Sequence, residues 1–405
     1  MSVYILGTLD TKGAEVAFVR GLLSEFQVDV KVVDTGCQGE PAFKADVTRE
    51  EVFEAAGTSL AARREAGDRG QAVSMAAKGA EKLAHTWHAA GKLTGLMGLG
   101  GSAGTTIATA AMRVLPVGLP KLMVSTLASG QVRPYVGGKD ILMLNSVVDI
   151  AGINRISRTV LGEAARAMAG MVTLSTNVTA ALEHDRPLIA ATMFGVTTPC
   201  VQHAQQILER AGYEVLVFHA TGNGGEAMEG LIADGLIAGV LDITTTELAD
   251  ELAGGILSAG PDRLTAAGKR GVPQVISVGA IDMVNFGPPE TVSERFEGRT
   301  FYHHNPTVTL MRTTQDECAT LGKQIATKAA ASTGPTSILL PLRGVSAIDC
   351  EGQPFDNPAA RETLFENIRW HHGQTELIEL DYHINDPQFA ERAARRLIEL
   401  IETHI

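Results

Sequence analysis

A chain of 405 residues, 45% apolar and 20% charged, is too long for one ordinary core and too hydrophobic for disorder, so two α/β domains of about 200 residues each are expected. Its formal net charge of −12 opposes nucleic-acid binding, because a phosphate backbone calls for a concentrated basic surface. No apolar run reaches the ~18 residues of a membrane span, the start MSVYILGTLDTKG lacks the basic flank of a signal peptide, and Cys37, Cys200, Cys318 and Cys350 form no CxxC pair, so a cytoplasmic protein with reduced thiols is expected.

Val3 to Leu6 reads as a strand, the apolar spacing of TKGAEVAFVRGLLSEF as a helix, and Val28 to Val33 as a second strand. The loop GTLDTKG between strand and helix offers Gly7, Thr8, Thr11 and Lys12 to a phosphate, and Asp10 to a magnesium ion. It is not a Walker A loop, because Lys12 precedes its glycine. Asp34 ends the second strand where a Rossmann-type site places its ribose-binding acid, although a turn-forming Asp in VDTG explains it equally well. Alanine-rich helical sequence then runs to Gly91; Glu81, His85 and His88 share a face there, which a solvated helix explains better than zinc.

Leu93 to Met97 is the next strand, and LMGLGGSAGTT leads from it into a helix expected over residues 105–114. This is the strongest local signal. Gly98, Gly100, Gly101 and Gly104 let the backbone approach an anion at a helix N-terminus, and Ser102, Thr105 and Thr106 add hydroxyl donors. The glycine spacing also fits a dinucleotide fingerprint, but KLMVST ends in Ser125 and Thr126, where NAD wants an acid. Ser129 and Gly130 in LASGQVRP form another anion-facing turn.

After a helix from Asn154 to Met171, polar STNVTAALEHDRP marks a junction near Glu183, giving domains 1–183 and 184–405. The second half repeats the strand, loop and helix alternation. Its loops carry Thr197 and Thr198 in GVTTPC; His219, Gly222, Gly224 and Gly225 in HATGNGG; and Thr245 and Glu247 in TTTELADE. Asp282 and Asn285 follow in GAIDMVNFG, then His304 in HHNP and Arg312 in MRTT. The whole pattern predicts two Rossmann-like, doubly wound α/β domains with mostly parallel sheets and a cleft between them.

Taken in order, GTLDTKGAE, VDTG, GLGGSAGTT, STLASG, NSVVDIAGIN, FGVTTPC, FHATGNGGEAME, DITTTELADELAGG, GAIDMVNFG, HHNPTVTLMRTT and HINDPQFA resemble the ATP-binding domain family named after the tomato mosaic virus resistance protein, over nearly the whole chain. The resemblance implies two Rossmann-like subdomains, ATP with magnesium as ligand, and a homodimer. It supplies no reaction. The leading expectation is phosphoryl transfer or ATP-dependent activation of a small anionic metabolite bound between the domains. In that reading Lys12 stabilises transferring charge, Asp10 holds magnesium, Arg312 orients the substrate and His219 or Glu247 is the general base. Thr197, Thr198, Gly222, Gly224, Gly225, Thr245, Asp282, Asn285 and His304 line the substrate side. The rival is a nucleotide-responsive binding protein that breaks no bond; a nicotinamide-dependent oxidoreductase is the weaker alternative.

Overall fold

Strands with apolar residues on both faces need cover on both sides, and the chain supplies it by alternating strand with helix. The computed structural model describes residues 1–174 and 186–404. The first half runs β1 (Ser2–Gly7), α1 (Leu9–Glu25), β2 (Val30–Asp34), α2 (Arg49–Ala55), α3 (Leu60–Ala66), α4 (Arg69–Ala89), β3 (Leu93–Gly100), α5 (Ser102–Arg113), β4 (Lys121–Ser125), α6 (Arg133–Val136), β5 (Leu142–Asn145) and α7 (Arg155–Thr173). Its five strands pair in parallel in the order β2-β1-β3-β4-β5.

Successive strand side chains face opposite ways, and that parity assigns each helix its layer. Val3, Ile5, Met97 and Leu99 pack with Leu9, Val16 and Val19 of α1 and Leu161 and Met168 of α7. Tyr4, Leu6 and Leu96 face the other side, against Ala76 and Ala80 of α4 and Ile107 and Ala111 of α5. Two helix starts differ from the sequence reading in a way that matters for the site. α5 begins at Ser102, three residues before Thr105, so the glycine-rich loop is already the helix's first turn. α1 begins at Leu9 and breaks helical geometry only at Lys12, with φ −127° and ψ 18°, so GTLDTKG is a kinked helical turn and not an open loop.

The second half runs β6 (Leu188–Met193), α8 (Thr198–Arg210), β7 (Glu214–His219), α9 (Asn223–Ala233), β8 (Gly239–Thr244), α10 (Thr246–Ala253), α11 (Ala266–Arg270), β9 (Gln274–Gly279), β10 (Met283–Phe286), β11 (Phe301–Asn305), β12 (Val308–Arg312), α12 (Gln315–Ala330), β13 (Thr336–Pro341), α13 (Pro358–His371), β14 (Glu376–Leu380) and α14 (Pro387–Glu402). Six strands form a parallel sheet in the order β14-β13-β9-β8-β6-β7. A separate antiparallel sheet, β10-β12-β11, is an addition that the alternation did not foretell. α14 closes one face by the i, i+3, i+4 rule, burying Phe389, Ala390, Ala393, Ala394 and Leu397.

The chain divides into two units, Met1–His184 and Asp185–Ile405; the boundary expected at Glu183 lies outside the described residues. Each main sheet is parallel and covered by helices on both faces, as a doubly wound α/β fold requires. No described helix is long and apolar enough to cross a membrane.

Candidate functional site

In an open parallel sheet the ligand crevice lies outside the carboxyl ends of the two strands from which the chain winds in opposite directions. The order β2-β1-β3-β4-β5 puts that point between β1 and β3. There α1 and α5 start side by side from opposite faces of the sheet, and a cleft of about 240 Å³ opens between them, lined by Thr8, Asp10 and Lys12 on one side and Gly101, Ser102 and Gly104 on the other. Neither Thr8 before α1 nor Gly101 before α5 caps its helix with a side chain, although the Leu9 amide that opens α1 is held by Asp34. The leading amides of α5 therefore carry unpaired N–H groups and the positive end of the helix dipole into the cleft.

The glycines of this rim divide into two kinds. A Cβ on Gly100 would sit 2.8 Å from Gly104 Cα, and one on Gly98 would run into Ala108 and Met123, so these two let strand and helix touch. A Cβ on Gly101 would meet nothing nearer than Thr126 Oγ1 at 3.6 Å. Gly101 is thus the position where the backbone is bare for a reason other than packing. Gly7 and Gly104 are buried and belong with the packing glycines.

Polar residues of the same rim also divide. Asp10 accepts the Gln38 and Gly39 amides on Oδ2, each at 3.1 Å, while its buried Oδ1 has no partner. Lys12 lines the cleft but gives its ammonium to the Ile150 carbonyl. The Thr8 and Thr11 hydroxyls bond each other at 2.7 Å. Thr105 and Ser125, both fully buried, share a bond of 2.7 Å, and Ser125 Oγ accepts the Leu127 amide at 3.0 Å; they shape the next turn from beneath. Thr106 bonds back to the Ser102 carbonyl, and Ser129 and Gly130 are exposed.

Asp34 departs from its expected role. Its carboxylate is 2% exposed, paired to Arg49 Nε at 2.6 Å, and bonded by the Leu9 and Gly36 amides at 3.1 and 2.9 Å. Three bonds and near-complete burial commit it to structure: the residue ties β2 to the starts of α1 and α2. Arg49, which sequence reasoning passed over, also holds the Gly39 carbonyl, and its Nη2 has no partner. A larger cavity of about 360 Å³ beside Asp34 is walled by Phe43, Lys44, Arg49 and Arg64. It offers no free helix start, because Thr48 and Glu51 cap α2 by a reciprocal box.

The second unit shows the same topology with its anion site filled. The expected general base Glu247 is fully buried, 2.6 Å from Arg263 Nε, and its Oε1 accepts the Gly222 and Gly225 amides at 2.8 and 3.0 Å. An internal carboxylate thus occupies the nest that HATGNGG forms at the start of α9. Burial pushes the Glu247 carboxyl up, against the pull of Arg263. A side chain on Gly224 would collide with the His219 carbonyl, and Gly222 has φ +82°; these glycines serve the turn. Arg312 is likewise an internal clamp, donating to the Phe355 carbonyl at 2.8 Å, Thr313 Oγ1 at 2.7 Å and Asp349 at 3.2 Å.

The remaining residues expected on the substrate side are not brought together. Thr197 bonds Thr244, Thr245 bonds the Ser277 carbonyl, and Thr198 bonds the Phe194 carbonyl. Asn285 donates to Asp250 at 2.7 Å, and Ser346 donates to Asp282 at 2.8 Å. Thr197, Thr245, Asp282 and Asn285 are at most 1% exposed. His219 and His304 stand exposed on different strands, β7 and β11. Buried threonines saturated by the backbone support turns; they do not face a ligand.

Comparison with known proteins adds relatives of the same length. Models described as the N-terminal and C-terminal domains of an uncharacterised protein family (UPF0261) match residues 1–177 and 186–401. A UPF0261 protein of Clostridium tetani is 48% identical over 402 residues, 99% of each chain, and one of Rhizobium meliloti is 48% identical over 394 residues, 96% of this chain and 97% of the relative. The ToMV resistance protein Tm-1(GCR237) of Solanum lycopersicum is 39% identical over 98% of this chain, which spans 55% of the tomato protein. Among solved structures, the UDP-GlcNAc 2-epimerase of Neisseria meningitidis bound to UDP-GlcNAc aligns over 100% of both chains at 10% identity, with a TM-score of 0.24, too low for any argument. Two family models that together cover almost every residue, and full-length bacterial relatives at 48% identity, place the chain in one family: it belongs to UPF0261.

Proposed function

We propose that the first unit binds a nucleoside triphosphate, ATP, with magnesium, its phosphates lying on the first turn of α5 and against the start of α1. The observation that carries this is the uncapped start of α5 at the switch point of the first sheet, with a bare Gly101 beside an open cleft. The turn that Glu247 fills in the second unit lies at the start of α9, after the edge strand β7. The residues suit the group. Gly101, Ser102 and Gly104 present main-chain amides, Lys12 and Arg69 line the same cleft as cations, and Asp10 keeps one oxygen without a partner. Magnesium held mainly by phosphates takes only one or two protein carboxylates. The bound metal would neutralise phosphate charge; Lys12 and the α5 amides would orient the phosphates.

Of the two functional classes, nucleotide-responsive binding is favoured over group transfer by one observation: Glu247 and Arg312, the expected base and substrate clamp, are both buried and engaged inside the second unit. A homodimer is part of the same proposal, and sedimentation with and without Mg-ATP checks it. The decisive test of the site is Gly101→Val. Its backbone, φ −81° and ψ −153°, suits any residue, so the fold should lose at most about 1 kcal/mol, while the melting shift that a bound ligand gives should vanish. A Mg-ATP shift equal to wild type in this variant overturns the placement.

A further inference from the structure

The small antiparallel sheet of the second unit carries a cavity that the nucleotide reading does not use. Between β10 and β11 the chain folds into two short 3-10 turns, Pro289–Thr291 and Glu294–Phe296. These turns and the sheet border an open groove of about 220 Å³. Its apolar wall is Pro289, Val292, Phe296 and Phe301, and Phe296 is held in place by edge contact with Phe286, the ring centroids 5.3 Å apart. A hydrophobic wall alone selects no ligand, so the polar groups decide the chemistry.

Three of those groups, Glu294, Glu297 and Thr309, offer acceptors, and the exposed Ser293 hydroxyl and His303 imidazole stand beside them on the lining. Glu294 and Glu297, both exposed, are among the lining residues, and neither is ion-paired among the described residues. Thr309 lines it from the middle strand, β12; the residue is 1% exposed and its Oγ1 has no hydrogen-bond partner. No lysine or arginine lines the space. The two nearby arginines are engaged elsewhere: Arg299 pairs with Glu317 at 2.6 Å, and Arg295 donates to the Ala253 carbonyl at 2.8 Å. Both guanidinium groups stand over the Phe296 ring. A buried hydroxyl without a partner is costly to fold around, so such a group in a cavity wall marks a place where a ligand supplies the missing bond.

We propose that this cavity binds a small primary amine with a compact apolar body. An ammonium group has three N–H donors and no acceptor, which matches two free carboxylates and one orphaned hydroxyl, while the hydrocarbon packs on Phe296 and Phe301. A carboxylate of the same shape meets like charge at Glu294 and Glu297. Every residue that forms the site belongs to the second unit.

Calorimetry on the full chain in amine-free phosphate buffer tests this with three probes of one skeleton: 3-methylbutylamine, 3-methylbutanol and 3-methylbutanoate. The amine should bind, the alcohol at least about tenfold more weakly, and the carboxylate not at all. Replacing the exposed pair together, Glu294→Gln with Glu297→Gln, should cost about tenfold in amine affinity at an unchanged melting temperature. Thr309→Val, which keeps the shape of the side chain and removes the acceptor, should weaken the amine without lowering stability. No amine binding at about 10 mM, equal binding of the carboxylate, or unchanged affinity in the double variant overturns the proposal.

Discussion

Asp10 divides its work between two oxygens. Oδ2 holds the Gln38 and Gly39 amides and so fixes the turn after β2, while Oδ1 is buried and unpaired beside the cleft. An amide in its place keeps one oxygen for the turn and replaces the other by a donor, which repels a cation. Asp10→Asn should therefore leave the protein folded and abolish the strengthening of ATP binding by magnesium, read by titration calorimetry with and without the metal. Magnesium dependence equal to wild type would remove Asp10 from the metal site. Glu247 plays the opposite part, an anion built into the protein. Glu247→Gln leaves Arg263 only Asp242 and Glu229 as charged partners and puts an amide donor among donors. Breaking a buried pair costs about 3–5 kcal/mol, and since two partners remain, a loss of about 3 kcal/mol is expected in urea unfolding. A loss under about 1 kcal/mol would show that the nest needs no internal charge.

At the scale of the element, the turn from β3 into α5 holds most of the proposed site and was only partly legible. The glycine run after an apolar strand pointed to the rim where the proposed site lies, because strand-to-helix turns at a carboxyl edge need bare backbone. The helix start was read three residues late, since glycine and serine are poor helix formers and their propensities hide a first turn that tertiary contact with β3 enforces. The T-x-x-E box of Thr48 and Glu51 was in plain sight, but Arg49 gains meaning only from Asp34, fifteen residues earlier in the chain and beside it in space. Nor can spacing show that Glu247 reaches back to Gly222 and Gly225, or that β10, β11 and β12 pair with each other and not with the main sheet. The two kinds of glycine give this element its own prediction. Gly100→Ala drives a methyl to 2.8 Å from Gly104 Cα and must part strand from helix, whereas Gly101→Ala meets only Thr126 at 3.6 Å. Gly100→Ala should lose at least about 2 kcal/mol of stability, the scale of core overpacking, and Gly101→Ala should lose little. Equal losses in thermal unfolding would mean that the strand and helix are not packed as described.

Across the whole molecule, two units repeat one winding with different contents at the switch point. In each, the chain leaves a central strand in one direction and the next strand in the other, β1 and β3 in the first, β6 and β8 in the second. The first opens a cleft there; in the second Thr197 and Thr244 bond each other across β6 and β8, and Glu247 of α10 reaches back to the start of α9. Filling a rim with charged groups has a consequence for stability against pH. Burial, and then the neighbouring Asp349 carboxylate, push the Asp282 carboxyl up to about 7. Arg312 and Arg361 both pair with Asp349, which keeps the proton on the other member. Asp282 has an oxygen free to carry it, because Ser346 bonds only Oδ2. The folded chain then holds a proton that the unfolded chain releases near pH 4. Stability is greatest below that point, falls as pH rises from about 4 to 7, and is level above. Asp250 is also pushed up to about 7 by burial, against the three N–H bonds that its two oxygens accept, from the Asn285 amide and side chain and from Leu257; an asparagine amide nitrogen in its place accepts none of them. The two aspartates should therefore separate on substitution. Asp282→Asn, measured by urea unfolding between pH 5 and 8, should flatten the fall and leave the protein more stable than wild type at pH 8, while Asp250→Asn should destabilise it throughout. A wild-type slope in Asp282→Asn would mean that the carboxyl is ionised in the folded state and that the free oxygen has found another partner.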